Sequence, residues 1–209
     1  MSYVRSEMET RDDRPTEDHI VQIDGATWAD YERLLEVRGD RSAPRITYLE
    51  GTLEIMSPSR DHARIKSFIG RLVEAYCLHA EIRFSPFGSW TLKERAHERG
   101  AEPDECYVFG DQDATRPHLA IEVIWTWGRL DKLGIYGKLG VREVWVWRKG
   151  HIQPYALRGE SYEPSERSEA LPDLDLELLA QFLDRPTAYD AIRDFTAALV
   201  AVGAVDRSR

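Results

Sequence analysis

The chain has 209 residues, 42% hydrophobic and 31% charged, which is room for one domain with a real core and appended ends. No apolar run approaches the roughly 20 residues that span a bilayer and no export segment opens the sequence, so a cytoplasmic protein without membrane contact is expected. The net charge of −9 weighs against a polyanionic partner, yet residues 41–150 carry 17 Lys and Arg against 15 Asp and Glu, which leaves room for a locally basic face there.

Residues 1–20 are polar and acidic and are expected to form a disordered tail. Thr27 then reads as the cap of a helix, "WADYERLLEVRG", with Trp28, Tyr31, Leu34 and Leu35 on one face and Gly39 as the stop. In "PRITYLEGTLEIMSPS" two short alternating runs flank Glu50-Gly51, the signature of a hairpin turn. "SRDHARIKSFIGRLVEAYCLHA" is the clearest helix, capped by Ser59 or Asp61, with Ile65, Phe68, Ile69, Leu72, Val73 and Tyr76 at helical spacing. "EIRFSPFGSWTL" reads as one or two strands, "RAHERGAEP" as a polar loop, and "DECYVFG" as a strand starting after Pro103. "HLAIEVIW" is apolar on both faces and belongs in the middle of a sheet. A helix over "GRLDKLGIYGKLG", a strand over "VREVWVW" and an edge meander over "HIQPYALRG" and "ESYEP" follow. Two helical patterns close the chain, the second opened by Thr187 and Asp190 at capping-box spacing. The order predicts an α/β (α+β) fold in which helices pack on a mixed sheet. The domain spans 21–185, and an amphipathic helix over 186–209 packs on it or on a partner subunit.

Cys77 and Cys106, in no CxxC pair, read as reduced thiols and not as a zinc site. The feature that points to chemistry is a pair of acids. Asp104 opens one predicted strand and Glu122 lies inside the next, and sequential strands often pair. An ionised Glu in an apolar strand is costly unless a cation faces it. Two carboxylates facing the same side can share Mg2+ or Mn2+, ions suited to oxygen ligands, and acidify a bound water. Lys132, at the start of the following helix, can fold back to stabilise charge on a phosphoryl oxygen. Carboxylates, amine and metal together suit phosphodiester hydrolysis. The plainer alternative is a buried Glu122–Lys132 ion pair with Asp104 as a turn residue after proline.

The stretch from Ile46 to Trp147 resembles the Uma-two family, described as restriction endonucleases, within the PD-(D/E)XK nuclease superfamily. The matching pieces are "YLEGTLEIMSPSRDH", "EPDECYVFG", "HLAIEV" and "DKLGIYGKLGVREVWVW". The resemblance implies a restriction-endonuclease-like fold with a mixed central β-sheet flanked by helices. It makes Asp104 and Glu122 the metal-holding acids. The superfamily's usual lysine position, two residues after Glu122, is Ile124 here, and Lys132 matches a lysine the family carries on the next helix. His62 matches a histidine at a helix start, there to touch phosphate or assist proton transfer, or else to cap the helix. Thr47 stands where family members often carry a Glu. "WTWGRL" replaces a Ser/Pro/Thr-rich loop, and its tryptophans read as packing residues. The resemblance implies a Mg2+-dependent endonuclease acting on DNA, with Mn2+ as a substitute, working as a homodimer. Two alternatives stand beside it: a catalytically inert nuclease-fold binding or regulatory module, and an interaction protein that dimerises through Ile192, Phe195 and Leu199.

Overall fold

Glu50 and Gly51 both adopt positive φ, 45° and 94°, the geometry of a two-residue hairpin turn. They join β2 (Arg45–Leu49) to β3 (Thr52–Ser57), and the register Leu49↔Thr52 follows directly from that turn. The computed structural model describes residues 17–110, 114–125 and 130–206, with side chains to residue 202. Ahead of the hairpin come β1 (His19–Asp24) and α1 (Trp28–Arg38). Thr27 and Asp30 form a reciprocal capping box at the start of α1, and Gly39 ends it. Ser59 caps α2 (Arg60–His79), accepting the backbone N–H of His62.

The remaining elements are β4 (Phe84–Pro86), β5 (Leu92–Glu94), β6 (Arg99–Ala101), β7 (Glu105–Phe109), β8 (Leu119–Val123), α3 (Lys132–Lys138), β9 (Glu143–Arg148), β10 (His151–Arg158), β11 (Ser161–Pro164), α4 (Leu176–Ala180) and α5 (Ala188–Asp206). They build two sheets. One runs β1-β3-β2-β6-β5 and is antiparallel throughout. The other runs β11-β10-β9-β8-β7-β4, mixed, with β8 and β9 parallel. That parallel pair needs a crossover, and α3 supplies it. The mixed central sheet flanked by helices is therefore the six-stranded one, and the N-terminal hairpin belongs to a separate sheet beside it.

Two expectations change. The "RAHERGAEP" loop contains a 3-10 turn, Arg95–His97, and the strand β6, which joins β2 to β5. Gly100 allows this: a side chain there would collide with the ring of Tyr31, which lies over the strand. Strand β1 also starts inside the segment assigned to the tail, because "HIVQID" acquires strand character by pairing with β3.

Alternation along β8 sorts its side chains. Leu119, Ile121 and Val123 enter a core with α2, α4 and α5, including Ile69, Leu72, Leu179 and Phe195. Ala120 points to the opposite face, where Ile135 and Tyr136 of α3 and Val144 pack. Glu122 shares that second face by parity. Trp28 and Tyr31 of α1 cover the five-stranded sheet over Ile46, Tyr48 and Leu53. α5 lies against α2, and its Ala191 and Phe195 are spent on the chain's own core. No described helix is long and apolar enough to cross a membrane.

Candidate active site

Glu122 is almost wholly buried, and α3 explains how it is tolerated. Asp131 caps the helix, accepting the N–H of Gly134 at 3.0 Å. The cap aims the first turn of α3 back at β8. Lys132 Nζ then donates to Glu122 Oε2 at 2.7 Å, and Tyr136, one turn on, donates its hydroxyl to Oε1 at 2.5 Å. Burial raises the Glu122 carboxyl above its ordinary range, with Asp104 adding to the rise and Lys132 opposing it. Burial works against the Lys132 ammonium, but Glu122 and Asp104 overcome this and keep it protonated.

Asp104 sits just before β7, its own N–H bonded to the carbonyl of Ile121 at 3.1 Å. Its side chain is completely buried, and both oxygens are engaged. Oδ2 accepts the N–H of Val123, the residue after Glu122, at 2.7 Å. Oδ1 lies 2.5 Å from Nη1 of Arg45 and 2.9 Å from Nε2 of His62. Burial would push this carboxyl up, but the Arg45 charge and the His62 bond hold it well below the usual carboxylate range.

His62 occupies the first turn of α2, placed there by the Ser59 cap. Its other ring nitrogen, Nδ1, lies 2.9 Å from Oδ2 of Asp18, whose Oδ1 accepts the N–H of Ser59 at 2.7 Å. Burial would lower the imidazole pKa, but two carboxylate partners raise it to about 9. At neutral pH it is an imidazolium that donates from both nitrogens, so neither nitrogen is open to take a proton from water.

These groups surround a cavity of about 410 Å³ between the two sheets, closed at one side by the N-terminal turns of α2 and α3. Asp18, Glu54, His62, Glu122 and Lys132 supply its polar wall; Ile20, Met56, Ile124 and Tyr155 supply apolar wall. Asp104 is behind this wall. The structure thus brings Asp104, His62, Glu122 and Lys132 into one contiguous cluster, with Glu122 and Lys132 at the cavity and Asp104 one layer deeper.

Four further members escaped sequence reasoning: Asp18, Arg45, Glu54 and Tyr136. Tyr136 follows Lys132 by four residues, a helical spacing that could have flagged it. Glu54 is a buried acid within a strand, the same oddity that drew attention to Glu122. It is the direct cross-strand partner of Thr47, so the hairpin does bring an acid, from the opposite strand. Asp18 and Arg45 carried no local signal. Elsewhere, Glu50 is a turn residue paired with Arg99, Lys66 lies 3.7 Å from Glu105 on the far side of β7, and Arg64 bonds the carbonyl of Arg185 at 2.5 Å. Cys106 donates its thiol to the carbonyl of Gly88. Trp125 stacks on Trp147, with ring centroids 5.8 Å apart and planes at 5°; Trp127 lies outside the described residues.

Oxygen donors of this kind suit Mg2+, but the arrangement of Asp104 and Glu122 does not suit one ion shared between them. Asp104 faces two cationic neighbours and a backbone N–H, not the cavity. No group of three or more Asp, Glu, His or Cys side chains converges in metal-binding geometry among the described residues.

Comparison with known proteins decides the affiliation. Residues 28–187 match the family model Uma2, described as "Putative restriction endonuclease". The chain belongs to the Uma2 family. The match runs from the first residue of α1 to the turn before α5, so it takes in every member of the cluster except Asp18. Among solved structures the chain is similar to one described as a "putative nuclease" of the DUF820 group from Anabaena variabilis, with 12% identity, 77% of this chain and 96% of that chain covered, and a TM-score of 0.45. No curated protein matches the sequence.

Proposed function

We propose that this Uma2 member is an endonuclease that hydrolyses phosphodiester bonds of DNA in the cavity between the two sheets. The observation that carries the reading is the meeting of Glu122 and Lys132 at 2.7 Å on the cavity wall, within a chain of a nuclease family. Lys132 keeps 23% of its side chain exposed, so its ammonium can reach a phosphate oxygen entering the cavity. There it would stabilise the extra negative charge that grows on phosphorus-bound oxygen during attack. Glu122, with its proton affinity raised by burial, is the group suited to orient the attacking water and accept its proton as the water oxygen bonds to phosphorus. The P–O bond to the leaving sugar oxygen breaks, and that oxygen takes a proton from solvent water. His62 and Asp104 take no proton in this scheme. They fix the end of β8 through the Val123 N–H, and with it the position of Glu122.

A Mg2+ requirement, with Mn2+ as substitute, and a homodimer that cuts both strands belong to this proposal as conditions of its test. Supercoiled plasmid, linear duplex and single-stranded DNA are incubated with the pure protein in Mg2+, in Mn2+ and in EDTA, and its mass is measured by light scattering. Nicking or linearisation lost in EDTA supports the reading. Binding of DNA without cleavage in any metal supports the second reading, an inert nuclease-fold module. That reading is favoured by one specific observation, the engagement of both Asp104 oxygens by protein donors.

A further inference from the structure

Asp104 and Glu122 are both buried acids at the ends of adjacent strands, yet their countercharges differ in kind. Glu122 faces a lysine that is part exposed, bordered by the cavity, and carried on a flexible stem. Asp104 faces an arginine whose side chain is 4% exposed, against 0% for Asp104 itself. Arg45 grips Asp104 twice, with Nη1 at 2.5 Å from the carboxylate and Nη2 donating to the Asp104 main-chain carbonyl at 3.4 Å. A guanidinium in a protein does not give up its proton, so it cannot turn neutral to admit a second cation.

The lone pairs make the same point. A carboxylate offers about four acceptor positions. Two of those on Asp104 accept hydrogen bonds, from His62 and the Val123 N–H, and the Arg45 guanidinium lies against Oδ1 as an ion pair at 2.5 Å. A divalent ion bound at about 2.1 Å from either oxygen would sit within a few ångströms of a fixed positive charge in a poorly screened interior. Magnesium is commonly held by one or two carboxylates together with substrate phosphate, so a protein site need not include Asp104.

We infer that Arg45 takes the place of a divalent ion at Asp104, making Asp104 a positioning residue and leaving any metal to Glu122 on the cavity side. The inference concerns metal binding by the resting protein and rests on the nuclease reading solely for its choice of metal. Arg45 lies at the first residue of β2, with its backbone fixed in register opposite Met56, so its reach to Asp104 is set by the docking of the hairpin sheet on the start of β7.

The test is Mn2+ binding without DNA, followed by electron paramagnetic resonance on the full chain. Arg45→Met is expected to bind Mn2+ at least about tenfold more tightly than the unaltered protein, and adding Asp104→Asn is expected to remove that gain. In the unaltered background, Asp104→Asn is expected to change Mn2+ affinity less than about twofold. The inference is overturned if Asp104→Asn by itself weakens Mn2+ binding tenfold, or if folded Arg45→Met binds no better than the starting protein. The Asp104→Asn arm decides the matter should Arg45→Met fail to fold. Since no DNA is present, a protein that never cleaves DNA can still pass or fail this test.

Discussion

Arg45 and Asp104 form an ion pair at 2.5 Å that is closed to solvent on both sides, and it ties the hairpin sheet to the six-stranded sheet. Breaking one half of such a pair leaves an uncompensated buried charge. Arg45→Ala should therefore cost about 3 kcal/mol or more of folding stability. Chemical denaturation measures this; a loss under about 1 kcal/mol, the range of surface pairs, would show the carboxylate to be reached by water.

His62 makes stability depend on pH in a definite direction. Its folded pKa of about 9 lies above the ordinary value of 6.5, so the folded state binds the proton more tightly. The stabilisation is fully present below about pH 6.5 and is lost as pH rises through about 9; the shift corresponds to about 3 kcal/mol. Denaturant unfolding at about pH 6 and about pH 10 should show this loss in the unaltered protein and not in His62→Gln. Equal pH slopes in the two proteins would contradict the doubly bonded imidazolium.

Tyr136 gives Glu122 a hydrogen bond at 2.5 Å from a fully buried hydroxyl. Tyr136→Phe removes the donor and keeps the ring, so the core of α3 survives. The expected cost is about 2 kcal/mol, the value of a bond to a charged acceptor. Nuclease activity should fall as well, because Glu122 loses one of its two anchors. A variant as stable and as active as the parent would mean that Lys132 alone fixes the carboxylate.

Gly100 lets the ring of Tyr31 lie over β6. Tyr31 stacks on Tyr48 at 5.5 Å between centroids and has no room to retreat. Gly100→Ala should cost about 1–3 kcal/mol, the range for overpacking a tight core. Differential scanning calorimetry would show it as a lowered Tm; an unchanged Tm would show that β6 can shift.

What the sequence revealed follows the reach of each interaction along the chain. Glu122 and Lys132 are ten residues apart, a strand end and the next helix start, and their meeting needed nothing but a helix folding back. The caps at Thr27 and Ser59 and the Glu50-Gly51 turn are local too. Asp18 and Arg45 reach His62 and Asp104 across 44 and 59 residues, and that contact exists because the hairpin sheet docks on α2 and β7. No periodicity encodes such docking. Strand β6 was hidden because three residues give no alternation, and its identity comes from its two neighbours. Asp104 is legible as an acid at a strand start, but its partners, which determine what it can do, are out of sequence range.

The proposed function makes Glu122 the working carboxylate of a DNA-cleaving cavity. The most direct measurement compares plasmid nicking by the parent and by Glu122→Gln at equal concentration in Mg2+, after circular dichroism has shown that both are folded. Nicking by Glu122→Gln is expected to fall at least about a hundredfold, within the usual range for a lost proton acceptor. Nicking at the parent's rate by a folded Glu122→Gln would contradict that role.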